Sequence, residues 1–166
     1  MSIRIGSHNI EAIFFDFDGV FTDNKVWTSS TGDELVVCSK SDSLGLDSFR
    51  KFLEEQSKQL RLAIVSKERN EIVRVRAQKL QLECFTGVDD KAKFIANSCN
   101  VSRESYIYFG NDLNDIEAMK HAAISLAPND AEPRAKDVAS FVGKSLGGNG
   151  FVREGLEYIR SLMERG

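Results

Sequence analysis

Short apolar runs that end in polar or acidic residues recur along this chain, and the segments between them carry apolar residues at helical spacing. Strand-length runs alternating with helix-length segments are the mark of βαβ units and a parallel sheet. Core strands are expected over residues 12–16, 61–65, 82–85, 105–109 and 123–126, with a further one at 138–142. Helices are expected over 43–56, with Leu46, Phe49 and Leu53 on one stripe, and over 70–80, with Val73, Ala77 and Leu80. Three more fall at 90–99, 113–121 and 151–164, the last carrying Val152, Leu156, Ile159 and Met163. The fold class that follows is α/β: a three-layer, Rossmann-like parallel sheet.

One segment interrupts the alternation. Lys25 to Thr28 and Leu35 to Cys38 read as two short strands around the turn-rich Ser29-Ser30-Thr31-Gly32-Asp33, a β-hairpin projecting from the sheet. With two prolines, no repeats and no low-complexity tract, the 166 residues are expected to form one domain spanning 1–166.

Two of the apolar runs end in acids. Ala12-Ile13-Phe14-Phe15 leads into Asp16-Phe17-Asp18-Gly19-Val20, and Tyr106-Ile107-Tyr108-Phe109 leads into Gly110-Asn111-Asp112-Leu113-Asn114-Asp115. In open α/β sheets ligands bind at the carboxyl ends of strands. Residues two apart on a strand point to opposite faces, so the chain must leave strand geometry at Asp16 for both carboxylates to serve one site; Gly19 permits that turn. Two acid-tipped strand ends suggest a hard cation held by oxygen ligands.

Bulk properties narrow the function. A net charge of −3 offers no basic footprint for nucleic acid, and no apolar stretch reaches membrane-span length. Met1 to Glu11 lacks the apolar core of a secretion signal. Cys38, Cys84 and Cys99 are odd in number and far apart, which reads as reduced thiols of a cytoplasmic protein and not as a zinc site or a disulfide framework.

Four segments in order resemble the haloacid dehalogenase superfamily of phosphatases: Asp16-x-Asp18, Ser66 after Leu62-Ala63-Ile64-Val65, Lys91, and Gly110-Asn111-Asp112-x-x-Asp115. The resemblance spans nearly the whole chain. It implies Asp16 as a nucleophile that forms an aspartyl-phosphate, Asp18 as general acid and base, and Ser66 and Lys91 as phosphate contacts. It also implies Mg²⁺ held by Asp16, the Asp18 backbone carbonyl and the second acidic cluster, with Asp115 behind them. Lys93 is a rival for the role of Lys91. Relatives normally carry an aspartate where this chain has Asn111; the amide can ligate but brings no charge, and Asp112 is the alternative direct ligand.

The segments between the motifs are too short for the cap domain that many relatives insert. Capless relatives with such a hairpin resemble the 3-deoxy-octulosonate 8-phosphate and 2-keto-3-deoxynononate 9-phosphate phosphatases, which implies a sugar-acid phosphate substrate and a homo-oligomer, a tetramer, whose neighbouring subunit closes the site. Thr22, Asp42 and the glycine-rich turn before Arg153 match that subgroup, and Glu68, Arg76 and Lys79 lean toward its nononate type. An acid sugar needs a cation for its carboxylate, for which Arg76, Lys79 and Arg153 are candidates. The alternative is a non-catalytic oligomerisation module, similar to the phosphatase-like domain that accompanies acylneuraminate cytidylyltransferases.

Overall fold

The computed structural model describes residues 2–165. The chain begins with an antiparallel hairpin, β1 (Ile3–Ile5) and β2 (His8–Ile10), turned at Gly6 with φ +58°. Then come β3 (Ala12–Phe15), a small hairpin of β4 (Trp27–Thr28) and β5 (Glu34–Leu35), and helix α1 (Lys40–Glu55). The middle of the chain runs β6 (Arg61–Val65), α2 (Ile72–Lys79), β7 (Glu83–Phe85), α3 (Lys91–Asn97) and β8 (Tyr106–Phe109). A 3₁₀ turn at Leu113–Asp115 leads into α4 (Ile116–His121), followed by β9 (Ile124–Ala127), α5 (Pro133–Val138), β10 (Phe141–Val142) and α6 (Phe151–Arg165).

The main sheet has six parallel strands in the order β10-β9-β8-β3-β6-β7. Chain order therefore reverses direction at β3, which lies between β8 and β6. A crevice opens at such a switch point, outside the carboxyl ends of the strands, and the β3 and β8 ends are the acid-tipped ones. Alternation along β3 builds the two flanking layers: Ile13 and Phe15 pack on the side of α1, α2 and α6, whereas Ala12 and Phe14 pack on the side of α3, α4 and α5. Full burial of Phe14, Phe15 and Phe109 contributes about 1.5–3 kcal/mol each. Helices α1 and α6 cross so closely at Gly45 that a Cβ there would lie 2.7 Å from the Arg153 Cα.

The expected α/β architecture is the observed one. Helix α1 starts three residues early because the Ser39 hydroxyl caps it, accepting from the Ser41 N–H at 3.0 Å. The strand expected at 138–142 shrinks to two residues, since Val138 ends α5. That helix and the β1–β2 hairpin are too short to carry a periodic signal, so neither is visible in the sequence pattern; α5 begins instead at a Glu132 cap with Pro133 in its first turn. The three cysteines are free. Among the described residues no helix is long and apolar enough to cross a membrane.

Candidate active site

Strand β3 ends at Phe15, and Asp16 opens a tight turn in which the N–H groups of Val20, Phe21 and Thr22 all point to the Phe17 carbonyl. That turn brings Asp16 and Asp18 into one cleft. Gly19, at φ +80°, makes it possible twice over: an L side chain would be strained there, and its Cβ would lie 2.0 Å from the Asn111 Nδ2. The Asp16 N–H bonds the Phe109 carbonyl at 2.8 Å, which fastens the first acidic loop to the end of β8.

Below the cleft lies a buried charge cluster. The Lys91 ammonium donates to Asp16 Oδ1 and to Asp115 Oδ1, both at 2.7 Å, and the three residues are 1%, 4% and 0% exposed. Asp115 is saturated. Its Oδ1 also accepts from the Tyr108 hydroxyl at 2.8 Å, and its Oδ2 accepts from the N–H groups of Asn111 and Asp112 at 2.9 and 3.2 Å. With four donors on a carboxylate that has about four lone-pair sites, Asp115 has nothing left for a cation and acts as a support. Lys93 is instead a helix residue whose N–H is capped by Asp90.

Burial, reinforced by the Asp115 charge, pushes the Asp16 carboxyl up to about 8 against the opposing pull of Lys91. The Asp18 carboxyl is also raised, first by burial and then by the Glu68 charge, with Lys91 opposing. A carboxyl held up in this way can carry a proton to a leaving group. Lys91 stays charged: burial disfavours its ammonium, but Asp16 and Asp115 more than compensate.

The cleft, about 180 Å³, is lined by Asp16, Asp18, Asn24, Ser66, Lys67, Glu68, Asn111, Asp112 and Asn114. The Ser66 hydroxyl oxygen accepts from the Glu68 N–H at 3.0 Å, leaving its own hydrogen to donate into the cleft. Asp112 is half-buried and spends one oxygen capping the 3₁₀ turn through the Leu113 N–H. Asn111 is 5% exposed and its Oδ1 is buried without a hydrogen-bond partner. A buried acceptor with no donor is costly unless something absent supplies the positive end. Among the described residues no three His, Cys, Asp or Glu side chains converge as a metal site. A hard cation here would draw on Asp16, the Asp18 backbone carbonyl and the Asn111 amide oxygen, a set of neutral and anionic oxygens that suits such an ion.

Five residues expected near the substrate do not line this cleft in their own chain. Thr22 is fully buried and its hydroxyl oxygen accepts from the Gly19 and Asn24 N–H groups, shaping the loop. Asp42, 1% exposed, accepts from the Arg153 N–H at 3.1 Å and so bolts α1 to the start of α6. The Arg76 guanidinium donates to the Ser43 hydroxyl at 2.8 Å and the Ser39 carbonyl at 3.4 Å, pinning α2 to α1. Lys79 and the Arg153 side chain are exposed elsewhere on the surface. Sequence reasoning missed Asn24, Asn114 and Tyr108. Asn24, at φ +61°, sits in a conformation that asparagine tolerates, a turn signal and not a functional one. A second cavity of about 260 Å³ adjoins the first between the hairpin and the β6–α2 loop, with Lys25, Glu34, Asn70 and Ile72 in its walls.

A switch-point crevice that presents two carboxyls over a buried lysine is equipped for nucleophilic and acid–base chemistry. The chain belongs to the haloacid dehalogenase-like hydrolases, whose sequence pattern matches residues 6–154. It is similar to the 3-deoxy-D-manno-octulosonate 8-phosphate phosphatase KdsC of Escherichia coli strain K12, 26% identical over 152 residues that cover 89% of this chain and 78% of that protein. The Yersinia pestis enzyme of the same name is 27% identical, covering 91% and 80%. Among solved structures, a HAD family hydrolase of Streptomyces avermitilis MA-4680 superposes with a TM-score of 0.79 at 31% identity, covering 92% of this chain and 86% of that one. The Moraxella catarrhalis 3-deoxy-D-manno-octulosonate 8-phosphate phosphatase, solved with magnesium ion, phosphate ion and KDO, gives a TM-score of 0.83 at 25% identity, covering 94% and 88%.

Proposed function

We propose that this chain is a Mg²⁺-dependent phosphomonoesterase that hydrolyses a phosphorylated 2-keto-3-deoxy sugar acid through an aspartyl-phosphate on Asp16. The observation that carries this reading is the Asp16 carboxylate, anchored at one oxygen by Lys91 and the Phe17 N–H (both 2.7 Å), at the rim of a cleft that also holds Asp18 and the unpartnered Asn111 Oδ1. The chain is a phosphatase by family and by likeness. When bound, Mg²⁺ neutralises phosphoryl charge and orients the ester; Asp16, the Asp18 carbonyl and Asn111 would hold it.

Phosphate monoesters hydrolyse so slowly in water that on the order of 20 kcal/mol or more of barrier must be removed. The transition state is loose, with charge on the phosphoryl oxygens, so positioning and countercharge dominate. An oxygen of Asp16 attacks phosphorus as the ester P–O bond breaks, and Asp18 gives its proton to the departing alkoxide. The Ser66 hydroxyl faces the phosphoryl oxygens, and Lys91, buried beneath the cleft, supplies countercharge through Asp16. Water then attacks the aspartyl-phosphate while Asp18 takes back a proton, releasing phosphate and restoring Asp16.

The sugar acid's carboxylate needs a cation. Lys67 and Lys25 line the two cavities of this chain, whereas Arg76, Lys79 and Arg153 would serve only across a subunit boundary. The hairpin supports such a boundary: Val26, Trp27, Leu35 and Val37 are 53%, 71%, 67% and 60% exposed, a display of apolar surface that a monomer seldom tolerates. Trp27→Asp is therefore expected to lower the mass found by light scattering after size exclusion, while activity on a small aryl phosphate persists. An unchanged mass would remove the hairpin from the interface.

Asn111→Asp is expected to tighten Mg²⁺ binding by about tenfold or more, because a unit negative charge near 4 Å from a divalent cation contributes about 2 kcal/mol even at the dielectric of water. Without metal the same variant should melt lower than the parent, since it adds a carboxylate beside Asp16. Titration calorimetry and melting curves read both effects, and weaker binding would move the ion away from Asn111. The direct test of function is phosphate release with Mg²⁺, first from an aryl phosphate and then from 3-deoxy-octulosonate 8-phosphate and 2-keto-3-deoxynononate 9-phosphate. No turnover on any of them, from a stable oligomer, would make this a scaffold.

A further inference from the structure

We propose that Tyr108 is a positioning residue of this reaction, acting through Asp115 to keep the Lys91 ammonium on Asp16; the inference rests on the phosphatase reading above. Tyr108 and Asp115 are both 0% exposed, and the Tyr108 hydroxyl donates to the same Asp115 oxygen that holds Lys91. The four donors to Asp115 differ in what holds them. The Asn111 and Asp112 N–H groups belong to the same loop as Asp115 and move with it. Lys91 ends a flexible four-carbon stem. Only Tyr108 donates from a strand of the central sheet, where β8 is hydrogen-bonded to β3 on one side and β9 on the other. It is the fixed reference against which the Asp115 carboxylate is set.

The charge balance explains why that reference matters. One ammonium is shared by two carboxylates, at equal distances of 2.7 Å, and all three side chains are almost fully buried. The tyrosine dipole takes up part of the Asp115 charge at the shared oxygen. Without it, Asp115 draws Lys91 more strongly, and the ammonium shifts away from the group that must attack phosphorus. Burial and the neighbouring carboxylates hold the Tyr108 phenol far above its ordinary range, so it remains a donor at every working pH.

Tyr106 supplies an internal control. It lies two residues earlier on the same strand face, is 2% exposed, and its hydroxyl donates to the Ala118 carbonyl at 2.8 Å, outside the charge cluster. Tyr108→Phe and Tyr106→Phe each remove one buried hydroxyl from the same strand face, and only the first touches the charge cluster. With Mg²⁺ and an aryl phosphate, Tyr108→Phe is expected to lower kcat by roughly 10–100-fold, the scale seen when a residue that orients a catalytic group is lost, with KM little changed. Tyr106→Phe should keep the parent kcat. Combining Tyr108→Phe with Asp115→Asn should cost no more than Asp115→Asn alone, because the tyrosine then has no charge to orient. Parent-level kcat in Tyr108→Phe, equal losses in the two tyrosine variants, or full additivity with Asp115→Asn would each overturn the inference while leaving the phosphatase reading intact. A parent protein inert toward every ester would overturn both.

Discussion

Asp16→Asn is expected to lower phosphate release by roughly 10⁴-fold or more, the scale lost when the nucleophile is taken from residues that act as a unit. The same substitution should leave a metal-free protein that melts higher than the parent at neutral pH. The Asp16 carboxyl has an ordinary value of 3.8 and is pushed to about 8 in the fold by burial and by Asp115. For a raised acid the unfolded chain loses its proton first, so stability is present below the ordinary value and is lost as pH rises toward the folded one. The difference in Tm between variant and parent, followed in chelator, should therefore widen from about pH 4 to about pH 8. Asparagine keeps an acceptor for Lys91 and the Phe17 N–H, so the cluster stays assembled. Undiminished turnover would sink the mechanism; a Tm difference that narrows with pH would sink the electrostatic account. The enzyme holds at its centre a charge that its own fold resists, which is the expected mark of a site built for a cation.

Lys91→Met should have the largest effect on stability. Methionine matches the length of the stem but leaves the buried Asp115 carboxylate without its countercharge, beside an Asp16 whose carboxyl is already pushed up to about 8. Breaking a buried ion pair by removing one partner costs about 3–5 kcal/mol, which in a chain of this size lowers Tm by roughly 6–20 °C. Activity falls as well, since Asp16 loses the cation that holds it in place. Adding Asp115→Asn to the methionine variant should recover part of the lost stability by removing the stranded charge. A Tm within a degree or two of the parent would mean that the lysine is not the keystone of the cluster. Thermal melts on the three proteins decide it.

Much of this was open to a reader of the residues alone. Strands β3, β6 and β8 stand where the apolar runs stand, because a strand buried on both faces writes its whole length in apolar letters. Asp16, Asp18, Ser66 and Asn111 could be found because each lies within three residues of the end of such a run, and the carboxyl ends of parallel strands share one edge. Lys91 was harder to find: nothing local separates it from Lys93, and what distinguishes the two is that only Lys91 points inward to Asp16 and Asp115.

The substrate-side expectations diverged for the same reason. Asp42 and Arg153 lie 111 residues apart and meet through a hydrogen bond from the Arg153 backbone N–H to the Asp42 carboxylate, so two residues that looked like sugar contacts join α1 to α6. Arg76 looked free on a helix face, yet it reaches 33 residues back to Ser43. Tyr108 gave no sign at all, since a tyrosine in a core strand reads as packing until its hydroxyl is seen to meet a carboxylate. Sequence by itself determined the strands of the sheet and the residues on its carboxyl edge, because periodicity and strand ends are local properties. The strand order that puts the switch point at β3 came from the tertiary structure. Which charges share a proton donor, which are buried and which merely brace two helices was decided only by the tertiary structure, because those energies depend on distance and desolvation between segments that the chain separates.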